Sequence, residues 1–148
     1  NRPRARGERG RVKVMALDHG VARTGVAVSD PTGTLVRPLP AIRRVDDPAG
    51  RAALERVISD EAPERIVVGD PRLLDGTRGA QSRIARRFAS RLRQWTGATV
   101  ELHDERLTTA EAERHRRDTG SRADVDSLAA CVLLEAYLSS ATTGPPAR

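Results

Sequence analysis

Five short apolar runs, three of them joined by tight connections and two set between helical stretches, leave this chain few ways to fold. Val12-Lys13-Val14-Met15-Ala16-Leu17 reads as a strand that is apolar on both faces, and Thr24 to Ser29 follows after a turn through Gly20. Asp30-Pro31-Thr32-Gly33 is a turn, and Leu35 to Ile42 makes a third strand. Pro38 and Pro40 cannot donate to a ladder, which assigns that strand to a sheet edge.

Helices then begin to alternate with strands. Asp47-Pro48 reads as an N-cap with proline at the first helical position, opening a helix through Ala53, Leu54, Val57 and Ile58 that Pro63 ends. Ile66-Val67-Val68 is a compact buried strand, broken by Gly69-Asp70-Pro71. Ile84, Phe88, Leu92 and Trp95 recur at helical spacing, and Thr99 to His103 is the fifth strand. Thr108 and Glu111 fit a capping box for a helix over Ala110 to Arg117, closed by Gly120, and a last apolar helix runs from Ser127 to Leu138. The order β-β-β-α-β-α-β-α-α predicts an α/β fold, a five-stranded mixed sheet with helices on both faces. A length of 148 residues with 38% apolar content suits one domain over residues 12–139, with disordered tails expected at 1–11 and 140–148.

Three acidic stations fall at the ends of these elements: Asp18, the pair Asp104-Glu105, and Asp126. In mixed sheets sites form at the carboxyl ends of strands, where Asp18, Asp104-Glu105 and Asp70 all sit. Carboxylates gathered from separate elements repel one another, so convergence would point to bound Mg²⁺ or Mn²⁺. Ala129-Ala130 would let the last helix lie close to the sheet and bring Asp126 near Asp18. Each acid alone has a plainer reading, as a loop residue, a salt-bridged cap or a helix-dipole partner. Neighbouring strand residues face opposite ways, so one of Asp104 and Glu105 must be chosen.

The formal charge is +6, but residues 1–13 alone carry six basic side chains against Glu8, leaving the body nearly neutral. A tail of that kind binds polyanions weakly or aids solubility. Within the body, Thr77 to Thr96 holds six arginines and no acid. Arg83, Arg87 and Arg91 stack on one outer helical face, either a solvated surface or a rail for phosphates.

Other classes recede. With one Phe, one Trp and one Tyr, base stacking on aromatic platforms is not the expected binding mode. No run is long enough to span a bilayer, so no membrane partner is expected. The single Cys131 fits a buried core thiol in a reducing cytoplasm. No Lys-Ser or Lys-Thr pair follows Gly20 and Gly25, so the loop after Asp18 is not a P-loop, and no Cys/His set has zinc spacing. His103, beside Asp104, reads as a ligand or proton shuttle or as an ordinary surface histidine, and the second is preferred.

In combination, Leu17-Asp18-His19-Gly20, Arg23-Thr24-Gly25-Val26-Ala27-Val28-Ser29-Asp30, Ile66-Val67-Val68-Gly69, Asp75-Gly76, Asp104-Glu105-Arg106-Leu107-Thr108-Thr109 and Asp126-Ser127-Leu128-Ala129-Ala130 resemble the YqgF (RuvX) family. That family is similar to RuvC resolvases and has the RNase H-like fold. The match runs in order from about Val14 to Leu138, and the six residues from Asp104 carry the most specific part. The resemblance implies a bacterial cytoplasmic nuclease, described either as a Holliday-junction resolvase or as a nuclease maturing the 5′ end of pre-16S rRNA. It also implies that Asp18, Glu105 (or Asp104) and Asp126 form the acidic site, with Arg23 and Arg106 contacting phosphate. Two Mg²⁺ or Mn²⁺ ions would then assist phosphodiester hydrolysis, bridged by Asp18. Asp70 departs from the family, which has an apolar residue there. It is open to two readings, a further metal ligand or a cap of the following turn, and the second is preferred. His19 also departs, with little expected consequence. A branched-DNA substrate would call for a homodimer, whereas an RNA processor could act as a monomer. Pre-rRNA ranks first on the resemblance, with a non-catalytic RNA-binding assembly factor as the alternative from another class, because nothing in the composition selects RNA over DNA.

Overall fold

The computed structural model describes residues 12–72, 75–105 and 125–143. They form a five-stranded sheet in the order β3-β2-β1-β4-β5: β1 (Val14–Asp18), β2 (Arg23–Ser29), β3 (Val36–Arg43), β4 (Arg65–Asp70) and β5 (Thr99–Asp104). Helix α1 (Pro48–Glu61) follows β3, α2 (Ala80–Trp95) joins β4 to β5, and α3 (Val125–Thr143) comes last. The element order expected from sequence holds through these segments. The capping box at Thr108 and Glu111, the helix over Ala110 to Arg117, and both tails lie outside the described residues.

β1 pairs antiparallel with β2 and parallel with β4, which makes the sheet mixed. β3 occupies an edge, as its prolines require: Pro38 lies opposite Ala27 and has no further neighbour to bond. β1 sits at the centre and is buried on both faces. Met15 and Leu17 pack towards Leu54 of α1 and Phe88, Ala89 and Leu92 of α2. Val14 and Ala16 pack instead against Ala130, Leu133 and Leu134 of α3. Cys131 is buried in α3, as its apolar surroundings imply.

Helix ends follow their signals in part. Asp47 occupies the N-cap of α1 with Pro48 in the first turn, yet the Asp47 side chain makes no capping bond. Ala62 closes the helix in a left-handed conformation (φ 48°), its amide donating to the Ile58 carbonyl at 2.8 Å. Pro63 follows, where helical geometry could not continue.

The start of helix α3 is tied to the sheet by the Ser127 hydroxyl. Ser127 Oγ accepts a hydrogen bond from the Val26 amide at 3.2 Å and donates to the Leu39 carbonyl at 2.5 Å. The β2–β3 register shifts between Thr24 and Val26, and the serine satisfies the amide beside that irregularity. Ser127→Ala leaves both backbone groups without this partner. It should therefore cost about 1–3 kcal/mol, read as a lower urea midpoint with an unchanged m-value; an unchanged midpoint would show that the hydroxyl is not the fastening.

Candidate active site

Alternation along the strands sorts the acids. Val14 and Ala16 face α3, so Asp18, next in that series, does too. On β5, Glu101 accepts a hydrogen bond from the Tyr137 hydroxyl of α3 at 2.7 Å, and His103 meets the same ring edge-on at 5.8 Å. Glu105 follows directly after β5, and its side-chain hydrogen bond with Asp18 puts it on that face. Asp104 instead shares its parity with Leu102, which packs on the α1–α2 side, and lies opposite Asp70 in the sheet. The two members of the second acidic station therefore belong to opposite faces, and Glu105 is the one on the face of Asp18.

β4 separates β1 from β5, so two strand spacings, roughly 10 Å, lie between their backbones. A glutamate can bridge much of that gap if nothing stands in its path. The register that sets Leu17 opposite Val68 places Asp18 level with Gly69. A Cβ on Gly69 would come within 2.2 Å of Glu105 Oε1, so the glutamate crosses β4 over its one residue without a side chain. There it shares a side-chain hydrogen bond with Asp18. Two carboxylates can bond in this way only if one keeps its proton. Burial first, then the Asp18 charge, pushes Glu105 up to about 7, with Asp70 and Asp104 adding to the shift.

Asp126 stands in the first turn of α3, immediately before Ser127, and its side chain lies outside the described part. The backbone argument is nevertheless specific. Ser127 is bonded to Val26, and the neighbouring Gly25 is the partner of Asp18 across β1–β2. The start of α3 is thus delivered to the strand beside the acid pair. Arg23 opens β2, whose amino end shares a rim with the carboxyl end of the antiparallel β1, and it is exposed. Arg106 lies outside the described residues.

Asp70 is fully buried on the α2 side. Oδ1 accepts a hydrogen bond from the Ser82 hydroxyl, and Oδ2 accepts one from Arg72 Nε at 3.0 Å, with Arg78 Nε at 3.7 Å. Its oxygens tie the first turn of α2 and the preceding loop to the end of β4. The geometry follows the capping reading rather than that of an open ligand.

Two histidines depart from expectation. His103 is buried beneath Tyr137, not on the surface; its Nε2 has no hydrogen-bond partner among the described residues, and burial pushes its pKa down. His19 was given no role by sequence reasoning, yet its side chain is only 4% exposed. Its ring lies 4.4 Å from that of Phe88, and its Nε2 is 2.9 Å from Asp46, which also receives Arg91 at 2.5 Å. The residue after Asp18 is therefore anchored through the β3–α1 loop to α2. Only the adjacency of His19 to an acid could have signalled this, because its partners are remote in sequence.

On α2 the expected row of Arg83, Arg87 and Arg91 lines one open groove together with Arg78, Arg86 and Arg93, and Arg91 also bonds Asp46 at 2.5 Å.

Among the described residues no three His, Cys, Asp or Glu groups form a ready metal cluster. The donors present still fit a hard divalent cation. Asp18 and Glu105 offer carboxylate oxygens already forced into contact, where a cation would take the place of the shared proton. The first turn of α3 brings Asp126 to the same rim.

Residues 12–140 match the family model described as RuvX: Holliday junction resolvase. The chain is 37% identical over 129 residues to the Salmonella arizonae protein named "Putative pre-16S rRNA nuclease", covering 84% of this chain and 94% of that one. The Salmonella newport protein of the same name matches equally. Among solved structures, Thermus thermophilus RuvC in complex with a Holliday junction superposes with a TM-score of 0.57 at 19% identity, over 89% of this chain and 96% of that one. The fowlpox virus resolvase in complex with Holliday junction DNA gives 0.53 at 10% identity, over 87% and 98%. These two likenesses establish the RNase H-like fold.

The acid pair has consequences that can be measured in EDTA. Glu105 has a folded pKa above its unfolded value, so neutral Glu105 stabilises the fold fully below about pH 4.5, and that contribution is lost as pH rises through about 7. The Tm difference between wild type and Glu105→Gln should change across that window in this direction; a constant difference would contradict the shared proton. Gly69→Ala should turn Glu105 away from Asp18 at little cost in stability, because only a flexible side-chain end has to move. Carboxyl ¹³C NMR should then find Glu105 titrating nearer 4.5, and a value still near 7 would refute this seating of the glutamate.

Proposed function

Because the chain belongs to the RuvX family, we propose that it is a divalent-metal-dependent endonuclease acting on the 5′ end of pre-16S rRNA. The observation that carries this reading is the Glu105 carboxylate seated over Gly69 against Asp18. A pair of buried acids in contact is costly, and it is a common arrangement where a cation must be gripped. Its position supports the same reading: the carboxyl end of the central strand, beside the first turn of α3.

The chain's own groups divide the work by where they sit. Asp18, Glu105 and Asp126 would hold Mg²⁺ or Mn²⁺ through their oxygens, and Glu105 would release its proton when the cation arrives. Such an ion polarises a phosphate and lowers the pKa of an attacking water. Arg23, exposed on the rim of Asp18, would take a phosphate oxygen of the strand being cut. His19, clamped between Phe88 and Asp46, limits the movement of the turn that follows Asp18. Hydrolysis adds water across one P–O bond, leaving a 3′ hydroxyl and a 5′ phosphate.

A second reading is favoured by the matched family model and the junction-bound RuvC: resolution of four-way DNA junctions. It requires two copies to cut two strands symmetrically. Comparing cleavage of a pre-16S 5′ fragment with cleavage of a four-way junction, alongside solution mass, separates the two. Preference for the junction by a dimer would replace the RNA reading.

Asp18→Asn should lower cleavage at least a hundredfold in Mg²⁺ while nucleic-acid binding in EDTA stays within about twofold, since one oxygen donor is lost without a change of shape. If the purified variant cuts as well as wild type, the assignment fails. Retained RNA binding by a wild type that never cuts would favour a non-catalytic assembly factor.

A further inference from the structure

The acid pair faces α3, yet the strongest positive feature lies on the other side of the sheet. Arg78, Arg83, Arg86, Arg87, Arg91 and Arg93 line an open groove of about 800 Å³ with Leu102 of β5 at its side. β5 is an edge strand, so the groove follows the margin of the sheet. Arg93 is held there by two hydrogen bonds from its guanidinium to the Val100 carbonyl, at 3.1 and 3.3 Å. Arg83, Arg86 and Arg87 are exposed and have no carboxylate partner among the described residues, in contrast to Arg91. Three uncompensated guanidinium groups within two helical turns repel one another, and the helix has no acid to relieve them.

The groove is connected to the candidate active site at one end. Arg78 lies 3.7 Å from Asp70, and the Asp70 charge is felt by Glu105 across β4. From Arg83 to Arg93 the helix runs about 15 Å. That is the rise of roughly four nucleotides along one strand of a duplex. Among the described residues no aromatic side chain lines the groove, so it offers no aromatic platform for a base.

We infer that this groove is a track for the phosphate backbone of the RNA strand flanking the cleavage site, read without regard to base sequence. The strand would leave the acid pair, round the carboxyl ends of β4 and β5, and descend along α2. Contacts are bidentate guanidinium–phosphate pairs from Arg83, Arg86 and Arg87, with Arg78 at the turn. This deepens the nuclease reading by naming how the substrate lies, but it depends on binding and not on cleavage.

The test is fluorescence anisotropy in EDTA with a labelled RNA stem carrying flanks of zero to eight nucleotides, at several KCl concentrations. Wild-type affinity should rise with flank length and level off after about four nucleotides. In the Arg83→Ala, Arg86→Ala, Arg87→Ala triple variant the dependence on flank length should vanish, and the slope of log K against log salt should become shallower by about two units. Mixed-sequence and homopolymer flanks should bind alike. A charge-matched control, Arg37→Ala, Arg44→Ala, Arg56→Ala, alters exposed arginines of β3, α1 and the loop between them and should keep the length response. The track is overturned if the α2 variant keeps it, or if the control loses as much. Tighter binding of the equivalent DNA overturns the RNA assignment. Length-dependent binding by a wild type that never cleaves leaves the track standing and removes the nuclease reading; cleavage without length-dependent binding does the reverse.

Discussion

Side chains on a strand alternate between the two faces of a sheet, and here that parity decides which acids can meet. Asp18 ends a strand whose even-numbered residues face α3, while the odd-numbered residues of β5 face the same helix. Only Glu105 of the second acidic station can therefore join Asp18. A one-residue shift in the pairing of β5 would present Asp104 to that face and send Glu105 towards α2. The register is held against such a shift by the burial of Val100 on one face and by the bonding of Glu101 to Tyr137 on the other. Packing of the sheet and composition of the acid pair are thus one problem.

Parity also explains why the other acids serve different ends. Asp70, on the α2 face, would be an expensive buried charge if left alone. Ser82, Arg72 and Arg78 satisfy its oxygens, and in doing so they set the start of α2 against β4. Its negative charge still reaches Glu105 and helps keep the proton there. An anchoring acid on one side of the sheet therefore assists the poise of the pair on the other.

Much of this was legible in the sequence because it depends on local pattern. Apolar runs, Pro38 and Pro40 located the strands and the edge; Asp47-Pro48 located the start of α1. The approach of α3 to the sheet was foreseeable from Ala129-Ala130, and Ala130 is indeed fully buried. What escaped depends on pairs remote in the chain. Ser127 looked like a helix-start residue, yet its hydroxyl serves Val26 and Leu39. Gly69 looked like a strand breaker, but its missing side chain is the passage for Glu105. His19 and Arg91 meet only through Asp46, so neither helical spacing nor neighbouring residues could reveal the link. Helical spacing sets Arg83, Arg87 and Arg91 in one row, but that Arg86 and Arg93 share its groove depends on how α2 packs beside β5.

Placing an acid pair and an arginine groove on opposite faces of one sheet has a physical advantage. A guanidinium close to Glu105 would favour its ionised form and remove the shared proton, and with it the strain that a cation relieves. None of the groove arginines is among the groups that shift Glu105, whereas Asp70, held by Arg72 and Arg78 between the two, is. The polyanion can then be attracted along the edge of β5 without its arginines quenching the acids. Only at the carboxyl ends of β4 and β5 do the two fields meet, where a strand following the groove would have to turn towards Asp18.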